Sequence, residues 1–275
     1  MALKLGLIGD KIAASRAPEL HRKAGEAAGV DLTYDLLIPR EHNLSFEALF
    51  CWARDIGFEG LNITYPYKER VLELVTPASA AIKTLGAINT VRFKNGGASG
   101  FNTDHSGFMH AYRGAFGTAM PGKVCLIGCG GVGRAIGFAL IELGATEIRC
   151  VDINTGRAQA LVYDLQQTYP NAKATAWTEA EKAVDGAYGL LNCTALGMGG
   201  VGGQVLTKAQ MAGARWAFDA VYTPVETAFL RAAHEAGLRC LSGFELFFWQ
   251  GVDAWEIFSG EPTDAAKLRK ALSAL

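Results

Sequence analysis

The stretch Lys123-Val124-Cys125-Leu126-Ile127-Gly128-Cys129-Gly130-Gly131-Val132-Gly133 runs from an apolar, strand-like segment into glycines spaced as G-x-G-x-x-G, and a helical pattern follows from Arg134. In a dinucleotide-binding turn the first glycine makes the tight turn, the second lets the backbone approach a pyrophosphate, and the third lets helix and strand pack closely. The N-terminus of the helix then faces the phosphates. The stretch therefore predicts a strand, a phosphate-binding turn and a helix, with these cofactor contacts: Gly128, Gly130, Gly131, Val132 and Gly133.

An acidic residue follows the next strand-like segment, because residues 147–151 run directly into Asp152. In a fold of this kind, a carboxylate at that position meets the hydroxyls of the adenine ribose. Two plainer interpretations stay open: a glycine-rich turn can be an ordinary loop, and Asp152 can cap the next helix. The two features in succession favour a nucleotide site.

Length and charge narrow the class of protein. The chain has 275 residues, of which 50% are hydrophobic, and a formal net charge of -1. This length accommodates two domains with a full core in each. There is no polybasic run, acidic tail, signal-like N-terminus or apolar run long enough to span a bilayer. We therefore expect a cytoplasmic protein with a small-molecule partner, without nucleic acid or membrane, as a monomer or a homodimer.

The cysteines are scattered along the chain and show no metal-ligand spacing. Buried, reduced thiols are the simplest account of such cysteines in a cytoplasmic protein. We predict no metal site and no disulfide framework from the residues Cys51, Cys125, Cys129, Cys150, Cys193 and Cys240.

The pattern of segments predicts two α/β regions. Strand-like runs at 4–8, 33–38, 60–64 and 90–94 alternate with helical patterns at 18–28 and 45–56. Further strands are predicted near residues 124, 148, 173, 188, 216 and 238, and the chain becomes helical and aromatic from Phe244. The predicted fold is α/β with two lobes: an N-terminal α/β substrate domain completed by C-terminal helices, and a Rossmann-type doubly wound nucleotide-binding domain. The expected boundaries are 1–104 plus 244–275 and 105–243.

Three short motifs in the first region carry polar side chains beside turns. They are Asn62-Ile63-Thr64-Tyr65-Pro66-Tyr67-Lys68, Asn89-Thr90 and Asn102-Thr103-Asp104. With these motifs the chain resembles the shikimate and quinate dehydrogenase family along essentially its whole length. Further matching segments are Asn192-Cys193-Thr194, Gly197-Met198, Asp219-Ala220-Val221-Tyr222 with Pro224, and Gln250.

The resemblance implies a role for each matching residue. Lys68 corresponds to the catalytic lysine and Asp104 to its paired carboxylate. The implied substrate contacts are Ser15, Asn62, Thr64, Asn89, Tyr222 and Gln250. Besides the glycine turn, the implied cofactor contacts are Asp152, Ile153, Arg157, Thr194, Ala195, Val221 and Gly243.

The chemistry of alcohol oxidation gives the lysine and the carboxylate a purpose. A group must take the hydroxyl proton while the carbon gives a hydride to a nicotinamide. Without the resemblance, Lys68 is equally well interpreted as a solvated cation at a helix start, and Asp104 as a helix N-cap.

The chain departs from the family at the loop that binds the substrate carboxylate. Members carry Ser-x-Ser before a proline, whereas this chain reads Ser15-Arg16-Ala17-Pro18. Ala17 removes one hydroxyl, and the lost hydrogen bond to a charged acceptor costs roughly 1.5 to 3 kcal/mol. Either Arg16 compensates or the substrate differs.

Two more departures concern the cofactor. Members that use NADP resemble Asn-Arg-Thr where this chain has Asp152-Ile153-Asn154. A carboxylate repels a 2′-phosphate, so we predict NAD as the preferred cofactor and NADP as the second, with Arg157 nearby. Glu245 stands in the expected last glycine loop, where the family has an apolar residue, and the sequence gives no account of it.

The sequence thus predicts an NAD-preferring dehydrogenase that interconverts shikimate and 3-dehydroshikimate. The first alternative is quinate, or a related hydroxylated cyclic acid, as substrate. The alternative from another class is a non-catalytic NAD-binding regulator that kept the fold and lost turnover.

Overall fold

The computed structural model describes residues 2–199 and 201–273. The chain forms two compact units. The first consists of the chain up to Thr103 together with the chain from Phe248 onward, and the second is Asp104–Phe247. Among the described residues, no helix combines the length and the apolar character that crossing a membrane requires.

Among the described residues, ten strands lie close to the predicted segments, and two more, Thr76–Pro77 and Gly97–Phe101, were not predicted. They are β1 (Leu3–Ile8), β2 (Leu32–Leu37), β3 (Gly60–Ile63), β4 (Thr76–Pro77), β5 (Thr90–Lys94), β6 (Gly97–Phe101), β7 (Lys123–Ile127), β8 (Glu147–Val151), β9 (Ala174–Trp177), β10 (Gly189–Asn192), β11 (Trp216–Asp219) and β12 (Arg239–Ser242).

The helices lie between these strands and at the end of the chain. They are α1 (Ala17–Ala28), α2 (Phe46–Asp55), α3 (Ala80–Leu85), α4 (Thr103–Phe116), α5 (Gly131–Glu142), α6 (Thr155–Thr168), α7 (Ala180–Ala183), α8 (Ala228–Glu235), α9 (Gly243–Ser259) and α10 (Ala265–Ser273). Side chains cap several N-termini: Ser45 accepts from the Ala48 N–H ahead of α2, and Thr227 accepts from the Leu230 N–H ahead of α8.

The first unit is built on a mixed sheet in the order β2-β1-β3-β5-β6-β4. Strand β1 lies parallel to both of its neighbours, so β1 and β3 end at the same edge, with Ile8 beside Ile63. Strand β5 is antiparallel to β3 and β6. Helix α2 supplies Leu49 and Phe50 to the core of this unit, and α10 packs against α1. The C-terminal helix therefore belongs to the first unit, as expected.

The second unit is built on a parallel sheet in the order β12-β11-β10-β7-β8-β9. Counted within the unit, this is the strand order 6-5-4-1-2-3 of a doubly wound nucleotide-binding fold. The order reverses between β7 and β10, and in such sheets ligands bind outside the carboxyl ends of the strands at that point. The predicted Rossmann-type fold is confirmed.

A histidine lies inside the first unit among aromatic rings. His21 on α1 is 1% exposed and stacks on Tyr34, with ring centroids 4.8 Å apart and planes 9° apart. Among the described residues, its Nδ1 atom has no hydrogen-bond partner. Burial lowers the pKa of His21 to about 3, although a hydrogen bond to the Asn62 side chain acts in the opposite direction. The imidazole is therefore neutral in the folded chain.

The buried histidine makes stability depend on pH. In the unfolded chain its pKa returns to about 6.5, so below that pH the unfolded state binds a proton that the folded state does not. As the pH falls from about 6.5 toward about 3, the free energy of unfolding decreases by up to about 1.4 kcal/mol per pH unit. We expect His21→Gln to have a shallower fall in Tm between pH 7 and pH 5 than the unmodified protein.

Thermal unfolding followed across this pH range measures the effect. The matched control is His234→Gln, because His234 is exposed on α8. If His21→Gln and His234→Gln have the same pH dependence as the unmodified protein, His21 is not held neutral in the fold.

Candidate active site

The glycine turn is shaped by the absence of side chains. Gly128 has a φ of 99°, which favours glycine, and α5 starts at Gly131 after an extended Gly130. A Cβ added to Gly133 would lie 1.8 Å from the Gly128 carbonyl oxygen. A Cβ on Gly130 would meet only the Arg157 guanidinium, 4.0 Å away. The turn therefore lets α5 pack closely while its outer face can accept a pyrophosphate, which fits the predicted dinucleotide.

Asp152 ties the glycine turn to the end of β8. One carboxylate oxygen accepts the Cys129 N–H at 2.7 Å, and the other accepts the Asn154 N–H at 2.8 Å. The N-cap of α6 is Asn154, so the alternative that Asp152 caps this helix is wrong. Ile153 is fully exposed, and Arg157 is exposed one turn further along. The half-buried carboxylate is thus held beside the turn where a ribose is expected.

A buried hydrogen-bond network supports the ends of β10 and β11. The Asp219 carboxylate, 0% exposed, accepts from the Asn192 amide at 2.9 Å, the Val221 N–H at 2.9 Å and the Thr227 hydroxyl at 2.6 Å. Asn192 in turn accepts from both the N–H and the hydroxyl of Thr194. Burial raises the pKa of Asp219 to about 6, and the three hydrogen bonds oppose this rise. The network fixes the backbone of two predicted cofactor contacts, Thr194 and Val221.

The start of α9 packs on the same region of the second unit. A Cβ on Gly243 would lie 2.5 Å from the Asp219 carbonyl oxygen, so only glycine allows this approach. Tyr222 stacks on Phe247, with ring centroids 4.7 Å apart. Glu245 lies in the first turn of α9 and is half-buried. The expectation that Glu245 belongs to a glycine loop is wrong, because the helix already begins at Gly243.

The predicted cofactor contacts of the second unit lie at one edge of its sheet. The glycine turn follows β7, Asp152 follows β8, Thr194 and Ala195 follow β10, and Val221 follows β11. Since these strands are parallel, their carboxyl ends meet at the same edge. The roles of these residues as cofactor contacts stay predictions. In the sequence Asp219 stands out only as part of a matching segment, and its bond to Thr227 was not predicted because it depends on how β11 and α8 pack.

In the first unit, Asn89 lies at the centre of a buried amide and hydroxyl network. Its side-chain oxygen, Oδ1, accepts hydrogen bonds from the Thr103 N–H at 2.7 Å and from the Thr90 hydroxyl at 3.0 Å. Its amide nitrogen donates to the Thr103 hydroxyl at 2.9 Å and, at a longer 3.5 Å, to Gln250. A backbone N–H can only donate, so the bond from Thr103 fixes which end of the amide points toward Gln250.

Asn62 extends this network into the core. It is 6% exposed, accepts the Tyr34 hydroxyl at 2.7 Å, and donates to the Thr90 hydroxyl at 3.2 Å. These bonds hold β3 against β5 at the point where both approach Asn89. The structure brings Asn62, Asn89 and Gln250 into one network, and the substrate contact implied for Asn62 stays a prediction.

Lys68, Thr64 and Ser15 lie on the loops that follow β1 and β3. Lys68 is half-buried, and its carbonyl oxygen accepts the Ile88 N–H at 2.8 Å. Thr64 is half-buried as well, and its N–H donates to the Ile8 carbonyl oxygen at 2.9 Å. Since β1 and β3 are parallel neighbours, both loops leave the same edge of the sheet. Three predicted site residues thus share one edge.

The loop that carries Ser15 also shows what Arg16 does. The Ser15 hydroxyl accepts the Ala17 N–H at 3.2 Å. The Arg16 guanidinium pairs with Glu19 at 3.0 Å and donates to the Leu272 carbonyl oxygen at 3.4 Å. The guanidinium therefore has partners within the protein, which argues against its replacing the hydroxyl that Ala17 lacks.

Asp104 lies in the first turn of α4 and is 4% exposed. The helix starts at Thr103, so the alternative that Asp104 is the N-cap is wrong. A carboxylate in the first turn is favoured by the helix dipole.

The described residues contain no group of three or more His, Cys, Asp or Glu side chains arranged to hold a metal. The cysteines are free, and burial raises the pKa of the Cys125 thiol to about 12. The Cys125 thiol is therefore protonated and unreactive at neutral pH.

The glycine turn and the parallel sheet define a nucleotide-binding α/β protein, and comparison with known proteins gives the family. Residues 7–91 match the model of the shikimate dehydrogenase substrate binding domain. The quinate/shikimate dehydrogenase (NAD(+)) of Corynebacterium efficiens is 35% identical over 281 residues, which covers 100% of this chain and 99% of that protein.

Solved structures agree. The quinate dehydrogenase from Corynebacterium glutamicum in complex with NAD superposes with a TM-score of 0.90 at 33% identity, covering 100% of this chain and 99% of that one. The shikimate 5-dehydrogenase from Thermus thermophilus in complex with NADP(H) and shikimate has a TM-score of 0.84 at 31% identity, covering 99% of each chain. The chain belongs to the shikimate and quinate dehydrogenase family, and the resemblance seen in the sequence is confirmed.

The close packing of the glycine turn predicts different effects for two glycines on one helix. Gly133→Ala places a methyl group 1.8 Å from a carbonyl oxygen, so α5 must shift. We expect a loss of about 2 kcal/mol in stability and at least about tenfold weaker NAD binding. Thermal unfolding and titration with NAD measure both.

The control is Gly137→Ala, where the new methyl group would lie 3.5 Å from Leu161 in ordinary contact. Because alanine favours helix over glycine, we expect this variant to keep or raise its Tm and to bind NAD normally. Equal behaviour of the two variants would contradict the account of the turn.

Proposed function

We propose that this protein is an NAD-preferring dehydrogenase that interconverts shikimate and 3-dehydroshikimate, with quinate as the alternative substrate. The unit formed by the chain up to Thr103 and from Phe248 onward would bind the acid, and Asp104–Phe247 would bind the cofactor. The observation that carries the proposal is the hydrogen bond between Asn89 and Gln250, in a unit whose residues 7–91 match the shikimate dehydrogenase substrate binding domain. Full-length similarity to quinate/shikimate dehydrogenases supports it.

The amide of Asn89 is suited to a hydroxylated ring. One of its hydrogens is taken by Thr103 at 2.9 Å, whereas the bond to Gln250 is long at 3.5 Å. A hydrogen bond at that length is weak, so a substrate hydroxyl can replace it. Thr64 and Tyr222 would contact further polar groups of the acid, and Ser15 its carboxylate.

The reaction requires proton and hydride to leave the same alcohol. Bound NAD supplies the nicotinamide that accepts the hydride. The amine of Lys68 would take the hydroxyl proton, and the carboxylate of Asp104 would orient that hydroxyl and stabilise the ammonium that forms. The backbone at Gly130 and Gly131 would hold the pyrophosphate.

The choice of NAD rests on the residues beside the glycine turn. The Asp152 carboxylate is fixed by two backbone N–H groups, so it cannot turn away from a 2′-phosphate without losing both bonds. Ile153, fully exposed, offers no charge to pair with a phosphate. Arg157, whose guanidinium lies over the glycine turn, is the group that would allow NADP as the second cofactor.

We also propose that the protein acts in the cytoplasm as a monomer or homodimer, without nucleic acid. The formal net charge of -1 supports the absence of a nucleic-acid partner, since no excess of positive charge is available for phosphate backbones or anionic lipids.

Catalysis by Lys68 is tested by its removal. We expect Lys68→Ala to lower kcat by about 100-fold or more, while the affinity for NAD stays near normal, because the lysine handles the proton only. The assay follows the absorbance of the reduced cofactor with shikimate and with quinate. Undiminished kcat in the variant would contradict the assignment, and no turnover by the unmodified protein with either acid would favour the non-catalytic regulator.

Cofactor preference is tested in the same assay. Placing a phosphate dianion against a carboxylate costs at least about 1 kcal/mol, so we expect kcat/KM to be about tenfold higher with NAD than with NADP. The double change Asp152→Asn with Ile153→Arg should shift the preference toward NADP. Equal use of both cofactors by the unmodified protein would contradict the role of Asp152 and indicate that Arg157 pairs the phosphate.

The missing hydroxyl at Ala17 gives a test of the substrate. If the carboxylate binds at Ser15, Ala17→Ser should lower KM for shikimate by restoring a charge-assisted hydrogen bond. Because such a bond is the same in ground and transition states, kcat should change little. An unchanged or higher KM would mean that the natural acid carries a different group at this end, or that its carboxylate is held elsewhere.

A further inference from the structure

Two loops of the first unit carry residues of the proposed site. The loop after β1 carries Ser15, and the turn after β3 carries Lys68. The two strands are parallel neighbours, with Ile8 beside Ile63, so both loops leave one edge of the sheet. A ring held by its carboxylate at one loop and by its reacting hydroxyl at the other is sensitive to the separation between them.

The two loops are joined by a side-chain hydrogen bond. The Tyr67 hydroxyl donates to the Asp10 carboxylate at 2.5 Å, and the Asp10 N–H donates to the Tyr65 carbonyl oxygen at 3.2 Å. Tyr67 is the residue before Lys68, and Asp10 is the second residue of the loop that follows β1 and leads to Ser15. A bond from a hydroxyl to a carboxylate is charge-assisted and stronger than one between neutral groups.

The ring of Tyr67 is held in place independently of its hydroxyl. It is 6% exposed and stacks on Phe46, with centroids 4.3 Å apart and planes 4° apart. The Arg70 guanidinium lies over both rings, 5.3 Å from the Tyr67 centroid. Burial, together with the bond to Asp10, raises the pKa of Tyr67 to about 12, so the hydroxyl keeps its proton and stays a donor. The tyrosine is thus a fixed anchor to which the loop after β1 is tied.

We propose that Tyr67 and Asp10 are positioning residues, whose hydrogen bond fixes the distance between the loop that carries Ser15 and the turn that carries Lys68. The inference rests on the proposed function of those two residues. Neither Tyr67 nor Asp10 needs to touch the acid. Their bond acts through the backbone of the residues beside them.

Conservative substitutions can remove the hydrogen bond between Tyr67 and Asp10. Tyr67→Phe keeps the stacked ring and removes only the hydroxyl, and Asp10→Ala removes the acceptor. Asp10→Asn keeps a carbonyl oxygen that can accept from Tyr67. The matched control is Tyr169→Phe, which removes a bond of the same kind, from the Tyr169 hydroxyl to the Glu142 carboxylate at 2.6 Å, in the second unit.

We expect Tyr67→Phe and Asp10→Ala each to lower kcat/KM for shikimate or quinate about tenfold, the size of one charge-assisted hydrogen bond. Both a higher KM and a lower kcat should contribute, because both loops lose their relative position. The KM for NAD should stay within about twofold. Asp10→Asn should retain most of the activity, and the double variant should be no worse than either single one.

Hydrogen exchange of the backbone amides provides a readout that needs no substrate. We expect amides at residues 10–16 and 65–69 to exchange faster in Tyr67→Phe, and not in Tyr169→Phe. If the unmodified protein turns over neither acid, the proposed function fails while exchange still decides whether the bond joins the loops. Kinetics within about twofold of the unmodified protein, unchanged exchange in Tyr67→Phe, or equal effects in Tyr169→Phe would overturn the inference.

Discussion

The proposed substrate site depends on the hydrogen bonds of one side-chain amide, that of Asn89. Its oxygen accepts the backbone N–H of Thr103, where α4 begins, and its nitrogen reaches Gln250 on α9. Asp104 follows Thr103 directly, so the same bond fixes the backbone beside the predicted catalytic carboxylate. Burying such polar groups is costly unless each finds a partner, and here Thr90 and Asn62 complete the set. Both the oxygen and the nitrogen of the Asn89 amide therefore have hydrogen-bond partners within the first unit.

The second unit also contains a buried hydrogen-bond network, and this one supports the predicted cofactor site. The loops that follow four parallel strands lie at one edge of the sheet, where the glycine turn would accept a phosphate group. Asp219 lies behind that edge, and burial raises its pKa to about 6 even with three hydrogen bonds. The same hydrogen bonds hold Val221 and the Asn192 amide in position and oppose the effect of burial on the carboxylate.

The parts of the fold that were predictable depend on local rules. The glycine turn could be recognised because steric limits on α5 packing require particular glycines at a particular spacing. Strand β6 was not predicted, since Gly97-Ala98-Ser99-Gly100 has little strand propensity and forms only by pairing with β5. The signal was nevertheless present: Asn95 and Gly96, with φ of 52° and 77°, form the two-residue turn of a β-hairpin. Long-range pairs such as Asp10 with Tyr67 left no such signal, because they depend on the register of β1 and β3.

The most direct test of the central claim is a crystal structure of the chain with NAD and shikimate bound. The account predicts that the Asn89 amide nitrogen and the Lys68 amine each lie within hydrogen-bonding distance of a ring hydroxyl, with the pyrophosphate against Gly130 and Gly131. The Asn89 oxygen should still accept the Thr103 N–H. An acid bound away from Asn89, or an Asn89 amide turned so that its oxygen faces the ring, would contradict the account.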